Sequence, residues 1–193
     1  INVIEFASAL GTGAMNISNN IFTTTANNGT SASCVPVFIN SLGGPVSITG
    51  NTIASVFSQA TGVSVSAIQI ANNGGTATIT ENDISDVQQK NTGQYGAIGI
   101  LLSSAANGAI IQNNFIYNIL NSGSTAISSS FGNNRNVNGI LLGSGSNHKV
   151  YHNSISLYGA STANFTNAVN CLAISGVAQT GIDIRNNIFS NTV

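Results

Sequence analysis

The sequence predicts an all-β chain, a right-handed parallel β-helix of about six coils of 31–39 residues with three strands per coil, in which residues 1–193 form one segment. Three observations predict it. One Asn-centred motif recurs six times, a strand-like pair of positions precedes each copy in nearly constant phase, and the composition suits strands joined by tight turns.

The recurrent motif is an apolar residue, Asn three positions later, and a second apolar residue two positions after that. Its copies are Ile17, Asn20, Phe22; Ile48, Asn51, Ile53; Ile79, Asn82, Ile84; Ile111, Asn114, Ile116; Val150, Asn153, Ile155; and Ile184, Asn187, Phe189. From 20 to 51, 82, 114, 153 and 187 the Asn steps by 31, 31, 32, 39 and 34 residues. The preceding pairs are spaced i and i+2. Five are apolar at both positions: Val37/Ile39, Ile68/Ile70, Ile100/Leu102, Ile140/Leu142 and Leu172/Ile174. In the first copy the same phase falls on Phe6/Ser8. The second member lies nine residues before the motif in four copies, eight in the fifth and ten in the sixth. Two columns holding one phase along the chain mark a repeat architecture.

Period-two apolar residues are strands with one buried face. A lone unit cannot bury that face, so units stack and pair strand on strand at about 4.8 Å around a shared core. Equivalent strands run parallel, and parallel crossovers are overwhelmingly right-handed. A left-handed β-helix is built on hexapeptides in turns of about 18 residues, and a leucine-rich repeat needs its Leu consensus every 20–29 or so. Six coils predict a rod roughly 29 Å long.

Composition narrows the rest. Apolar residues make up 42 % and charged residues 5 %, against roughly 25 % charged in ordinary soluble domains. Glu, Lys, Gln and Arg are too scarce for a helical protein. The net charge of −1, with no basic cluster, excludes nucleic-acid binding by phosphate neutralisation. No run of about 18 apolar residues occurs, so no membrane-spanning helix is expected. Residues 1–10 carry neither an initiator Met nor a basic leader, and the repeat runs to both ends. The chain is therefore expected to be a piece of a longer repeat protein without its end caps, with neighbouring coils as its first partners. Exposed coil ends are sticky edges that favour end-to-end association.

The Asn-centred rhythm, with the preceding strands Gly99-Ile100-Leu101-Leu102 and Gly139-Ile140-Leu141-Leu142, resembles the parallel β-helix repeat family. Pectate lyases, polygalacturonases, phage tailspikes and many bacterial surface proteins belong to it. The Asn-rich, Lys-poor style is similar to long exported proteins of Bacteroidetes-type bacteria. The resemblance spans the whole chain and implies the fold, together with an extracellular or cell-surface setting. It implies no particular activity.

Asn20, Asn51, Asn82, Asn114, Asn153 and Asn187 are expected to stack at one corner as a structural ladder. Asn tolerates left-handed backbone, and its amide both donates and accepts, so stacked amides bond one another and the turn backbone. The competing reading is a polar ligand stripe.

Chemistry-bearing residues are few. Glu81, Asp83 and Asp86 are the one acidic cluster. Asp83 and Asp86 flank inward Ile84 and could share an outer face as Ca²⁺ ligands, but Ca²⁺ wants about six to eight oxygens and adjacent coils add no carboxylate. As a glycosidase pair they lack the further acidic, His and basic motifs of polygalacturonase-like enzymes, so solvated turn acids is the plainer reading. Tyr151 is expected to lie outward over Arg185, with His152 at the adjacent turn. An aromatic face beside a guanidinium suits a sugar or a carboxylate; equally, it makes an ordinary cross-strand pair. His148 lies beside the one-residue-short junction, which leaves inward and outward both open. Thr49 over Thr80 begins an ice-binding-like Thr ladder that stops after two rungs, at Gln112. No phosphate loop, zinc spacing or nucleophile elbow occurs. Gly11-Thr12-Gly13 is too short to count.

Cys34 and Cys171 fall four coils apart, about 19 Å, beyond the roughly 7 Å Cα limit of a disulfide. Two free packing thiols are expected. The longest excursion runs from Tyr117 to Gly139 and carries Phe131 and Arg135; such insertions often lie on a binding face. The function expected is that of a non-catalytic structural or adhesive rod segment of a secreted or cell-surface protein, with no cofactor. Its partners would be glycans or other surface proteins. The alternatives are part of a polysaccharide lyase or glycoside hydrolase of the pectin-lyase-like type, and a glycan-binding module using Phe131, Arg135, Tyr151, His152 and Arg185.

Overall fold

The computed structural model describes residues 2–6, 12–29, 31–40, 43–71, 75–91, 93, 95–103, 107–122, 135–159, 168–176 and 178–193. Among these residues there is no helix, and every element is a strand. Three parallel sheets of six strands each run the length of a β-solenoid, and each coil contributes one strand to each sheet.

The first sheet is built from β1 (Asn2–Phe6), β4 (Val35–Ile39), β7 (Val65–Ile70), β10 (Ala97–Leu102), β13 (Val137–Leu142) and β16 (Val169–Ile174). The second holds β2 (Met15–Ser18), β5 (Val46–Thr49), β8 (Ala77–Thr80), β11 (Ile110–Gln112), β14 (Lys149–Tyr151) and β17 (Asp183–Arg185). The third holds β3 (Ile21–Asn27), β6 (Thr52–Ser58), β9 (Asp83–Gln89), β12 (Phe115–Asn121), β15 (Ser154–Leu157) and β18 (Ile188–Asn191).

Inward residues align in columns. Ile17, Ile48, Ile79, Ile111, Val150 and Ile184 are in register in the second sheet. Phe22, Ile53, Ile84, Ile116, Ile155 and Phe189 are in register in the third. In the middle coils these side chains are wholly enclosed in one core. The first coil departs from the expected phase. Ile4 pairs with Val37 and Phe6 with Ile39, so the strand pair is Ile4/Phe6 rather than Phe6/Ser8, and Ser8 lies outside the described residues. The observed pair is apolar at both positions, like those of the other coils. Register follows the strand hydrogen bonds, not a constant distance to the next motif. Eleven residues separate Phe6 from Ile17, where nine separate Ile39 from Ile48.

The six Asn residues do form a ladder. Each Oδ1 from Asn51 onward accepts the backbone N–H and the Nδ2–H of the Asn one coil earlier, at 2.9–3.0 Å throughout. Asn51, Asn82, Asn114 and Asn153 are at most 1 % exposed. The left-handed corner belongs to the preceding residue, not to the ladder Asn. Asn19, Gly50, Glu81, Asn113, His152 and Asn186 have φ between 54° and 66°. That residue turns the chain with its side chain outside, and the next residue can then direct its amide along the rod.

A second left-handed column, Thr24, Ser55, Asp86 and Asn118, has φ of 52–57° and bends the third sheet. It spaces the inward residues three apart, as in Phe22 and Thr25, in the manner of a bulge. The fifth coil omits it, and Ile155 and Leu157 both point inward two residues apart. A second buried polar column follows at Asn27, Ser58, Gln89 and Asn121, seven residues after each ladder Asn. These side chains hold the turn backbone: Gln89 Nε2 donates to Val63 O at 2.8 Å and Asn121 Nδ2 to Tyr95 O at 3.1 Å.

In the first sheet the residue before the inward pair also faces the core. Ala67 and Cys171 are core residues there, and at Gly99 and Gly139 there is no room for more than hydrogen. A Cβ on Gly139 would stand 2.5 Å from Ile155 Cγ2 and 2.6 Å from Cys171 O. Cys34 and Cys171 are both free and buried, and burial pushes both thiols up. The expected excursion from Tyr117 to Gly139 is shorter than its bounds, because β12 runs on to Asn121 and β13 starts at Val137.

Candidate functional site

Tyr151 and Arg185 do meet, as neighbouring rungs of the second sheet. The guanidinium carbon is 6.0 Å from the ring centroid, and His152 lies edge-on to Tyr151 at 6.5 Å. The organising group is Asp183. Tyr151 Oη donates to its Oδ2 at 2.7 Å, Arg185 Nε donates to Oδ1 at 2.6 Å, and a second guanidinium nitrogen lies 2.6 Å from Oδ2. The hydrogen bond from Arg185, then that from Tyr151, holds the Asp183 carboxyl below its ordinary value. The same bond to Asp183 raises Tyr151, and Asp183 likewise raises Arg185. An incoming carboxylate would have to displace Asp183 from both donors, so this trio is a closed cross-strand network and not an open anion site. Asp183 was visible two residues before Arg185 on the same strand face.

The remaining candidates do not converge. Phe131 lies outside the described residues. Arg135 sits 5.8 Å from the ring of Tyr95, on the approach to the first sheet and away from Tyr151. Glu81 is exposed at the left-handed corner. Asp83 is half-buried, with one oxygen enclosed and unpartnered. Asp86, at the second bend, accepts from Asn118 Nδ2. Among the described residues no group of three or more His, Cys, Asp or Glu side chains could hold a metal ion. Thr49 and Thr80 hydroxyls stand 3.1 Å apart, the two rungs expected.

His148 points inward and is wholly enclosed. It follows the small Ala77 and Ala109 in its column. Its Nδ1 accepts the Ala109 N–H at 3.3 Å, and its Nε2 lies 2.9 Å from Ser144 O. A carbonyl only accepts, so Nε2 carries the proton and the ring is neutral. Burial pulls its pKa below the ordinary imidazole value, and the Ser144 hydrogen bond partly opposes this.

A groove of about 500 Å³ lies on the outer face of the first sheet. Leu101 and Leu141 make its floor, Tyr95 one wall, and Gln69, Ser64 and Ser103 polar points along it. Gln69 Nε2 donates to Ser103 Oγ at 3.3 Å, which orders the two. Ile98, Leu101, Leu141 and Ala173 form a second apolar cluster, separate from the main core. The Ile-Leu-Leu runs of β10 and β13 carried the signal: a strand apolar on both faces is covered on both faces.

No protein-family model, curated protein or solved structure matches the chain. The parallel β-solenoid is thus carried by the repeat and its geometry.

Proposed function

We propose that the chain is a non-catalytic, adhesive β-helix segment of a secreted or cell-surface protein, and that its groove holds a neutral glycan. The observation behind this is the groove's described lining: one phenol, one amide, four serine hydroxyls, two leucines, a valine and two glycines, with no carboxylate, imidazole or amine. The half-buried Tyr95 ring offers apolar contact to sugar C–H faces and Gln69 and Ser103 match hydroxyl groups, while the buried Leu101 and Leu141 support the groove from beneath. Glycoside hydrolysis needs two facing carboxylates, and the described lining has none. The pectin-lyase-like enzyme reading would have to draw its acids from elsewhere. The exported setting rests on the repeat resemblance and the nearly uncharged, Asn-rich surface.

The test is a glycan array followed by calorimetry on the full chain, with Tyr95→Ala and Gln69→Ala as variants. Neutral oligosaccharides are expected to bind, and Tyr95→Ala to weaken binding about tenfold, or ~1.4 kcal/mol, without lowering the melting temperature. An array with no glycan bound, or release of oligosaccharide products from any polysaccharide, overturns the proposal.

A further inference from the structure

The two hydrogen bonds of the enclosed His148 fit only a neutral ring. Nδ1 accepts the Ala109 N–H and Nε2 donates to Ser144 O. A protonated imidazole has two N–H donors and no acceptor, so Nδ1 would face the Ala109 N–H donor to donor at 3.3 Å. A buried charge is costly unless it is paired, and no anion faces the ring. The turns around it, residues 103–109, 143–147 and 176–182, contain no ionisable residue. On β14 and β17 the inward residues are Val150 and Ile184, so Lys149, Tyr151, Asp183 and Arg185 stand on the outer face, where Asp183 is committed to Tyr151 and Arg185. His152 is exposed at the corner beyond β14. Facing the core from β16 is the Cys171 thiol, which burial keeps protonated and which donates to Ser190 O.

The Ser144 end of the ring leads outward. Beside it lies a cavity of about 260 Å³, open to solvent and bounded by residues 143–146 and by Gly176 and Gln179 of the next coil. The turn is pinned at both ends: the Gly143 N–H bonds Leu102 O at 2.7 Å and the Ser146 N–H bonds Asn107 Oδ1 at 2.8 Å. Between these points His148 holds the Ser144 carbonyl. Gly145, at φ 89°, gives the turn a place to pivot. The same turn reaches the groove on the first sheet, because Gly143 lines both concavities and Ser175, next to Gly176, lines the groove one coil further on.

We infer that His148 is an acid-operated latch on this turn: protonation drives the ring out of the core toward the cavity, takes the Ser144 carbonyl with it, and loosens that end of the groove so that a held glycan is released. The release of glycan rests on the function proposed above; the latch itself rests on the two bonds and the cavity. Burial opposes the charged ring, so the latch stays closed at neutral pH and opens only in acid. The Asn ladder has no group that titrates in this range, so the remaining coils keep their bonds while the turn opens.

Two measurements on the full chain test it, each between about pH 7.5 and 4.5. Hydrogen–deuterium exchange, corrected for the intrinsic pH dependence of exchange, reads the latch and needs no variant. Protection of the Ala109 amide and of residues 143–147 is expected to fall with acid by up to about tenfold per pH unit, the limit for one linked proton, while that of Asn82 and Asn114 holds. Calorimetry with an oligosaccharide selected on the glycan array reads the groove. Its affinity is expected to fall several-fold over the same range in the native chain and to hold in His148→Gln, which has no proton to gain. Protection at 143–147 that ignores pH overturns the latch, as does a loss shared equally by Asn82 and Asn114. An affinity that ignores pH, or that falls equally in His148→Gln, overturns its coupling to the groove. If no oligosaccharide binds at any pH, the proposed function fails and the exchange result alone decides the latch.

Discussion

Removing the side chain of Asn82 tests whether the ladder holds the coils together. Asn82 is 1 % exposed. Its Oδ1 accepts from Asn51 N at 3.0 Å and Asn51 Nδ2 at 2.9 Å, and its Nδ2 donates to Ile48 O and Asn114 Oδ1, both at 2.9 Å. Alanine deletes all four bonds and keeps the backbone bond from Asn82 N to Asn114 Oδ1. The Asn51 N–H is left buried without its acceptor, at a cost of about 1–3 kcal/mol, and three further bonds are worth about 0.5–1.5 kcal/mol each. Asn82→Ala should therefore destabilise by about 4 kcal/mol, which is roughly 10 °C in a chain of this size. Asn20 is exposed, accepts nothing at Oδ1 among the described residues, and donates from its side chain to Ser18 O and Asn51 Oδ1. Asn20→Ala should cost under ~1 kcal/mol. Asn82→Asp keeps the shape but turns an oxygen toward Asn114 Oδ1 and Ile48 O, and should do at least as much harm as alanine. Urea unfolding followed by circular dichroism reads all three. Equal midpoints for Asn82→Ala and Asn20→Ala would refute the ladder as a source of stability.

His148 is held neutral by burial, its pKa below the ordinary 6.5. The unfolded chain therefore binds a proton first as pH falls, and stability is complete above about 6.5 and declines below it with a slope of up to ~1.4 kcal/mol per pH unit. His148→Gln should flatten that slope in urea titrations between about pH 7.5 and 5. Thr24 is β-branched, exposed and left-handed at φ 55°, so Thr24→Asn should gain about 0.5–1 kcal/mol in thermal melts. Gly139→Ala drives a methyl into Ile155 and the Cys171 carbonyl and should cost about 1–3 kcal/mol, whereas Gly13→Ala, with nothing within 4 Å, should be neutral.

How far the fold was readable in the chain depends on the direction of each contact. Contacts along the rod repeat, and a repeat shows in the sequence. The inward isoleucines, the ladder and the Tyr151–Arg185 neighbours were each legible as a column one period apart. The first-coil pair was misplaced by two residues because the connection before Ile17 is longer, and a column carries no information on which coil absorbs an insertion. The polar Ser8, at a phase that the other five coils fill with an apolar residue, was the sign that the phase had slipped there. The second polar column was missed because Asn27, Ser58, Gln89 and Asn121 share a task, not a residue type. Any side chain with an amide or hydroxyl can hold a turn. Asp183 was missed because it lies along the strand from Arg185, not above it.

The groove runs across the repeat and was the least legible feature. Its floor comes from outward positions of two coils and its wall from Tyr95, which precedes β10. No period links Tyr95 to Leu141, so only the doubly apolar Ile-Leu-Leu runs hinted that the outer face is covered. The same distinction separates stability from recognition in this molecule. Residues that repeat from coil to coil hold the rod, and their loss should appear in unfolding. Tyr95, Gln69 and the two leucines break the repeat: the outward column that holds the last three reads Glu5, Phe38, Gln69, Leu101, Leu141 and Ala173 from the first coil to the sixth. A solenoid needs no such variation to stay folded. A surface that changes along the rod in this way is what a partner can recognise, so binding defects without stability defects are expected at Tyr95 and Gln69, and not at the buried Leu101 and Leu141 or in the ladder.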